Sequence, residues 1–177
     1  WIITDWYRPQ FYYDSGDWRA TWSGEGGGVL LNQCPHNLDL WQWICGMPAK
    51  VYAKMHFGKW HDIEVEDDVT AYVEYENGAT GTFITSTGDV PGTNRFEIQM
   101  DRAKLVAEND TLKVLVYEQT EDECEEVNSN PYWSPDAHEL EFETDGENLD
   151  RLIRIYEQLD AETRNAYILI GEKMLSN

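Results

Sequence analysis

The sequence predicts an α+β fold, a mainly antiparallel sheet with a helix covering one face. Three observations lead there. Asn77-Gly78 separates two apolar, strand-like runs, the strongest short signal for a hairpin. Further runs of strand character follow and suit a meander. Between Gly28 and Cys45 the spacing changes to three or four, which places Leu30, Cys34, Leu38, Trp41 and Cys45 on one stripe of a helix.

Taken in order, Trp1–Thr4 suits a strand, and the rest of the first 23 residues reads as an ordered loop interrupted by Pro9 and Gly16. Tyr12, Tyr13, Trp18 and Trp22 would be costly to leave in water. Arg19 lies between Trp18 and Trp22, where a guanidinium can stack and still donate to an anion or a hydroxyl. The same placement equally suits an ordinary surface cation over a ring.

The helix expected over Gly28–Cys45 stops at Gly46, with Pro48 beyond it. It follows a glycine cluster, Gly24-Glu25-Gly26-Gly27-Gly28, and carries Asn32 and His36 four residues apart on one face. Pro35 lacks a backbone donor, so a kink is expected beside His36. An amide and an imidazole projecting together beside a flexible backbone form the candidate site. Cys34 and His36 point about 200° apart on a helix, which disfavours a thiol–imidazole couple.

Val51–Gly58 alternates as a strand. The hairpin then joins Asp68–Glu76 to Ala79–Thr87. A two-residue turn would pair Val73 with Thr82, Tyr72 with Phe83 and Ala71 with Ile84. Val69, Ala71, Val73 and Ile84 would share one face, and Tyr72 and Phe83 the other. Both faces are partly apolar, so the sheet should be covered on both sides, by the helix and by a partner subunit. After a loop at Gly88–Thr93 come strands at Arg95–Met100, Lys104–Glu108 and Thr111–Glu118. Residues 118–147 read as loop with an edge strand at Glu139–Glu143. Helical spacing resumes near Asn148, through Leu149, Leu152, Ile153, Tyr156 and Leu159, and a further apolar patch covers Tyr167–Ile170. No repeat or linker divides residues 1–177, so one domain is expected.

The chain has 177 residues, enough for a sizeable core, and a net charge of −21. The charge is uneven: residues 1–60 hold five acidic and five basic side chains, and the remainder holds the other 29 acids against eight bases. Nucleic acid and anionic membrane are poor partners for that surface. Cys34, Cys45 and Cys124 form no paired motif, which suggests reduced thiols in a cytoplasmic protein. No apolar run is long enough to span a bilayer and no signal peptide is visible. The start at Trp1, without a cap, reads as a piece of a longer protein. His56 and His61, five apart near Glu64, Glu66, Asp67 and Asp68, are poorly spaced for metal ligands, and no metal is expected. The glycine cluster follows a loop and lacks the strand and acidic partner of a dinucleotide fingerprint.

Laid out this way, the chain resembles the C-terminal domain of the glucose–fructose oxidoreductase / inositol dehydrogenase (Gfo/Idh/MocA) family. The residues that carry the resemblance are Gly26 to Asp39 (GGGVLLNQCPHNLD), Trp43-Ile44-Cys45-Gly46, Glu66-Asp67-Asp68, Glu76-Asn77-Gly78-Ala79 and Ser86-Thr87-Gly88. It is good over residues 1–117 and weak beyond. The resemblance implies an open, mostly antiparallel sheet with helices on the side of the active site. It implies a separate Rossmann domain, absent from this chain, that binds NAD or NADP and supplies a Lys. This stretch alone should then bind no cofactor and be inactive. In the family an Asp and a His four residues apart relay the proton of the substrate hydroxyl. His36 matches that His, and Asn32 stands where the Asp often stands; an amide can orient a hydroxyl but cannot ionise. A polyol, sugar or related substrate is implied, with Tyr13, Trp18 and Arg19 of the aromatic loop as binding residues, and a homo-oligomer formed through the sheet. The alternative is a non-catalytic ligand-binding or dimerisation module with the same fold.

Overall fold

The computed structural model describes residues 1–109, 111–117, 119–120, 122–124, 137–141, 161 and 165–166. The chain divides into two compact units, Trp1–Arg95 and Phe96–Asn177.

The first unit holds β1 (Ile2–Ile3), α1 (Gln10–Asp14), α2 (Val29–Asn32), α3 (Pro35–Cys45), β2 (Lys50–Phe57), β3 (Glu66–Glu74) and β4 (Thr80–Ser86). It ends with the first residues of β5 (Asn94–Gln99). Its strands lie in the order β2-β3-β4-β1, with Asn94 and Arg95 of β5 beside β1. All neighbours are antiparallel except β1 and β4, where Ile2 faces Ile84 and Ile3 faces Thr85 in a parallel pair. The open, mainly antiparallel sheet with helices on one face is thus the fold that the resemblance implied.

The hairpin forms, but one residue away from the expected register. Thr82 pairs with Tyr72, Phe83 with Ala71, Ile84 with Thr70 and Gly81 with Val73. The turn is the reason. The Gly78 N–H donates to the Tyr75 carbonyl (3.1 Å), the Tyr75 N–H donates to the Ala79 carbonyl (2.9 Å), and Gly78 has φ +89°. This is a three-residue loop closed by a left-handed glycine, which adds one residue to the two-residue turn. A shift of one exchanges faces. Phe83 therefore joins Val69, Ala71 and Val73 under the helices, and Ile84 moves to the opposite face with Thr70.

The helix-side core follows from that register. Phe83, Val69 and Val73 are at most 2% exposed. The Trp41 ring of α3 stacks on Phe83 with centroids 5.4 Å apart, and a Cβ at Gly81 would lie 3.0 Å from Trp41. The predicted stripe is only partly covered. Cys34 is buried, whereas no residue of α3 is. An apolar groove of about 240 Å³ runs between Leu38 and Trp41 of α3 and Val51 and Ala53 of β2.

The second unit contains the rest of β5, then β6 (Ala103–Glu108), β7 (Thr111–Tyr117) and β8 (Ala137–Glu141), in that order across the sheet. Leu105 pairs with Val114, and both are fully buried. Val114 also pairs with Leu140 of β8, which begins two residues before the strand expected at Glu139. The helices expected from Asn148 onward, and most of the acidic segment, lie outside the described residues. Among the described residues no helix is long and apolar enough to cross a membrane.

Candidate functional site

The expected helix over Gly28–Cys45 is two helices. α2 ends at Asn32, and α3 begins at Pro35 with Cys34 as its N-cap. Proline accounts for the break: it has no N–H to donate to the preceding turn, and its fixed φ suits the first position of a new helix. The Gln33 and Cys34 N–H groups both turn to the Val29 carbonyl, at 3.1 and 2.9 Å, and the Leu38 N–H restarts the ladder on the Cys34 carbonyl. Asn32 and His36 therefore occupy the end of one helix and the first turn of the next, without a shared helical face. Both are exposed. Among the described residues, the His36 side chain makes no hydrogen bond. Asn32 donates through Nδ2 to Glu25 Oε1 and accepts from Gln33 Nε2 at 3.1 Å.

The position of α2 is set by β3. Its first residues, Glu66-Asp67-Asp68, each hold a different piece of the molecule. The Glu66 carboxylate, 5% exposed, accepts the Leu30 N–H at 3.2 Å. Gly28 packs so closely on the same residue that a Cβ would lie 1.9 Å from the Glu66 carbonyl oxygen. A carboxylate thus already occupies the N-terminus of α2, and the glycine-rich turn does not fit a dinucleotide pyrophosphate, which needs free N–H groups and no competing anion there. Asp67, fully buried, accepts from three successive N–H groups, Lys59 (2.9 Å), Trp60 (2.8 Å) and His61 (3.2 Å). Asp68 accepts from Lys59 Nζ (2.7 Å), Trp60 Nε1 (3.3 Å) and His56 Nδ1 (3.0 Å). His56 and His61 are therefore carboxylate partners, and the described residues hold no cluster suited to a metal ion.

The aromatic loop is more structured than expected, since Gln10–Asp14 forms α1 after Pro9. Of the proposed binding residues, Tyr13 is only 8% exposed and packs with Ala20 and Val65. Its ring lies 4.9 Å from that of His61. Burial, above all, pushes its phenol above the ordinary value, opposed by a hydrogen bond with Thr87. Arg19 stacks between Trp18 and Tyr12, not between the two tryptophans, with both centroids 4.5 Å away, and donates to the Tyr12 hydroxyl at 2.9 Å. Trp18 is 53% exposed. Tyr13, Glu25, Asn32, Gln33 and Glu66 line one crevice of about 10 Å³, room for roughly one water. Arg19 and Trp18 stand apart as a stack of their own.

Burial holds the thiols of Cys34 and Cys45 in the protonated form. Neither Cys34 nor Cys45 is in a disulfide. Cys34 meets the Thr85 hydroxyl at 3.0 Å, and burial pushes its thiol up to about 11, as it does that of Cys45.

Sequence reasoning missed Glu25 and the Asp67–His61 contact. The first had a signal, a single charged side chain inside a run of glycines. The second joins the loop after β2 to the start of β3, six residues apart, where the sequence grouped His61 with the nearby acids only as poorly spaced metal ligands.

The sequence model of the GFO/IDH/MocA C-terminal domain matches residues 1–106. No curated protein is similar enough in sequence to count as a relative. Among solved structures, the WlbA dehydrogenase from Chromobacterium violaceum, in complex with NADH and UDP-GlcNAcA, is similar at 21% identity and TM-score 0.57, over 98% of this chain and 44% of that one. Levoglucosan dehydrogenase in complex with NADH is similar at 19% identity and TM-score 0.57, over 78% of this chain and 37% of that one. An NAD binding oxidoreductase from Klebsiella pneumoniae is similar at 15% identity and TM-score 0.54, over 94% and 47%. At these identities the likeness is one of fold, and the chain spans less than half the length of each. The family model covers more than half of the chain, which therefore belongs to the GFO/IDH/MocA family as its C-terminal domain.

Proposed function

We propose that the chain is the substrate-side domain of a nicotinamide-dependent oxidoreductase acting on the CH–OH group of a polyol, sugar or related compound. The observation that carries this reading is His36, exposed, without a side-chain hydrogen bond among the described residues, and just beyond the exposed amide of Asn32. An imidazole can accept a hydroxyl proton, while an amide can orient the hydroxyl. The NADH and sugar-type ligands of the solved relatives support the reaction class. NAD or NADP would be held by a Rossmann domain of the full-length protein, since the glycine-rich turn here is closed by Glu66. The exposed Trp18 and the Arg19 guanidinium stacked on it offer a flat apolar face and a donor to a sugar ring. Tyr13 would contribute through its position under the loop.

His36→Ala in the full-length protein should lower kcat by about 10²-fold or more, and Asn32→Ala should act mainly on KM. Near-normal kcat in His36→Ala would show the catalytic assignment of His36 to be wrong.

We also propose a cytoplasmic homo-oligomer formed through the sheet face away from the helices. Tyr52 and Tyr72, 54% and 42% exposed, lie there with ring centroids 6.2 Å apart, alongside Ile2 and Ile84. Such a face left in water would favour association. Sedimentation should show at least a dimer, weakened by Ile84→Lys; a monomer at low micromolar concentration removes the assembly.

A further inference from the structure

We propose that Glu25 is a positioning residue of this site. It holds the Asn32 amide with its nitrogen inward and its oxygen outward, so that the negative charge sits on Glu25 and the end of α2 presents a neutral acceptor. The inference rests on the reading that Asn32 meets the substrate hydroxyl.

Glu25 is the only side chain between Gly24 and Gly28, and the backbone around it is built for close approach. A Cβ at Gly24 would lie 2.2 Å from the Trp18 carbonyl oxygen, and Gly26 has φ +80°. The turn is tied to Thr21, whose carbonyl accepts the Glu25 and Gly26 N–H groups at 3.0 and 3.2 Å and whose hydroxyl accepts the Gly24 N–H at 3.1 Å. This rigid turn aims one carboxylate in two directions. Oε2 accepts the N–H of Ala20 at 2.6 Å, and Oε1 accepts Nδ2 of Asn32. Ala20 is 2% exposed and sits in the left-handed region at φ +50°. Glu25 thereby ties the aromatic loop to the end of α2.

An ionised carboxylate only accepts hydrogen bonds, so it fixes which end of the amide faces it. The reversed amide would set two oxygens against each other. With Nδ2 committed to Glu25, Oδ1 must face away, where it accepts from Gln33 Nε2 and keeps a second lone pair for a ligand hydroxyl. Gln33 is beside it and bonded to the same oxygen, so the acceptor is held on both sides.

Three variants of the full-length protein test this by thermal unfolding between pH 5 and pH 8. Asn32→Asp places a second carboxylate against Glu25. One carboxyl of such a pair titrates at raised pH, so the variant should be destabilised at pH 8 and regain stability as pH falls. The expected loss at pH 8 is about 4 °C or more in Tm relative to wild type. Glu25→Gln with Asn32→Asp exchanges donor and acceptor, and should restore the wild-type Tm at pH 8 and remove the added pH dependence. Glu25→Gln alone removes the charged acceptor of Nδ2 and should shift the Asn32 side-chain amide resonances in an NMR spectrum at pH 8. If Asn32→Asp shows no added pH dependence, or the double variant is no better than the single one, Glu25 does not position Asn32. These measurements need no turnover. They stand if His36→Ala proves fully active, and their failure leaves the role of His36 untouched.

Discussion

His36 and His61 lie in opposite kinds of surroundings. The His61 side chain is 6% exposed; its Nδ1 lies 3.4 Å from Asp67 and 3.5 Å from the Thr87 hydroxyl, and its ring lies against Tyr13. His36 stands exposed at the first turn of α3, its side chain unbonded among the described residues. Every partner of His61 is fixed before a ligand arrives, which suits an imidazole that braces a loop. His36 has its hydrogen-bonding capacity free, as proton transfer to an arriving hydroxyl requires. The difference teaches that a buried histidine–carboxylate pair is here the scaffold, and the exposed His36 the candidate for chemistry.

Substitutions on the two sides should separate stability from activity. The largest loss is expected at Asp67. Asp67→Ala strips the acceptor from three N–H groups and should cost about 3 kcal/mol or more, seen as a fall of roughly 6 °C or more in Tm. An unchanged Tm would mean that water replaces the carboxylate and that the brace is unimportant. His61→Ala should cost less, about 2 kcal/mol, because the backbone contacts of Asp67 persist. His36→Ala should leave Tm within about 1 °C of wild type, as is usual for an exposed side chain, while kcat falls. A His61 variant that unfolds no more readily than the His36 variant would erase the contrast.

The smallest effect is expected at Asp68. Burial would raise its carboxyl, but hydrogen bonds from Lys59, His56 and Trp60 outweigh it and hold the group below its ordinary value of 3.8. A lowered folded-state value contributes stability above the unfolded pKa and loses it as pH falls through the folded one. The small gap in Tm between wild type and Asp68→Asn should therefore be constant near neutrality and close below about pH 4. A gap that widens on acidification would show that the neighbours do not favour the ionised form.

The contrast was half legible in the sequence. The Asn77-Gly78 turn, the run of strands and the motif around His36 mark the sheet and the exposed histidine, because turn chemistry and helical spacing are local. The register was lost to a single residue, Gly78, whose left-handed backbone lengthens the loop. The break between α2 and α3 is written in Pro35, yet periodicity runs across it: Leu30, Cys34 and Leu38 keep helical spacing on both sides. The roles of Glu66, Asp67 and Asp68 could not be read, since consecutive strand residues point to opposite faces and their partners lie up to 36 positions away.

That placement also orders the assembly of the molecule in time. The three acids sit at the open end of the β3–β4 hairpin, the end farthest from its turn at Tyr75–Ala79. A hairpin that zips from its turn closes that end last, and only then do residues 28–30 and 59–61 find their acceptors. Contacts made after the rate-limiting step carry φ-values near zero and act on unfolding rather than folding. The segments that bear Asn32 and His61 would then join a nucleus already formed, and the sheet could persist through excursions in which the site comes apart.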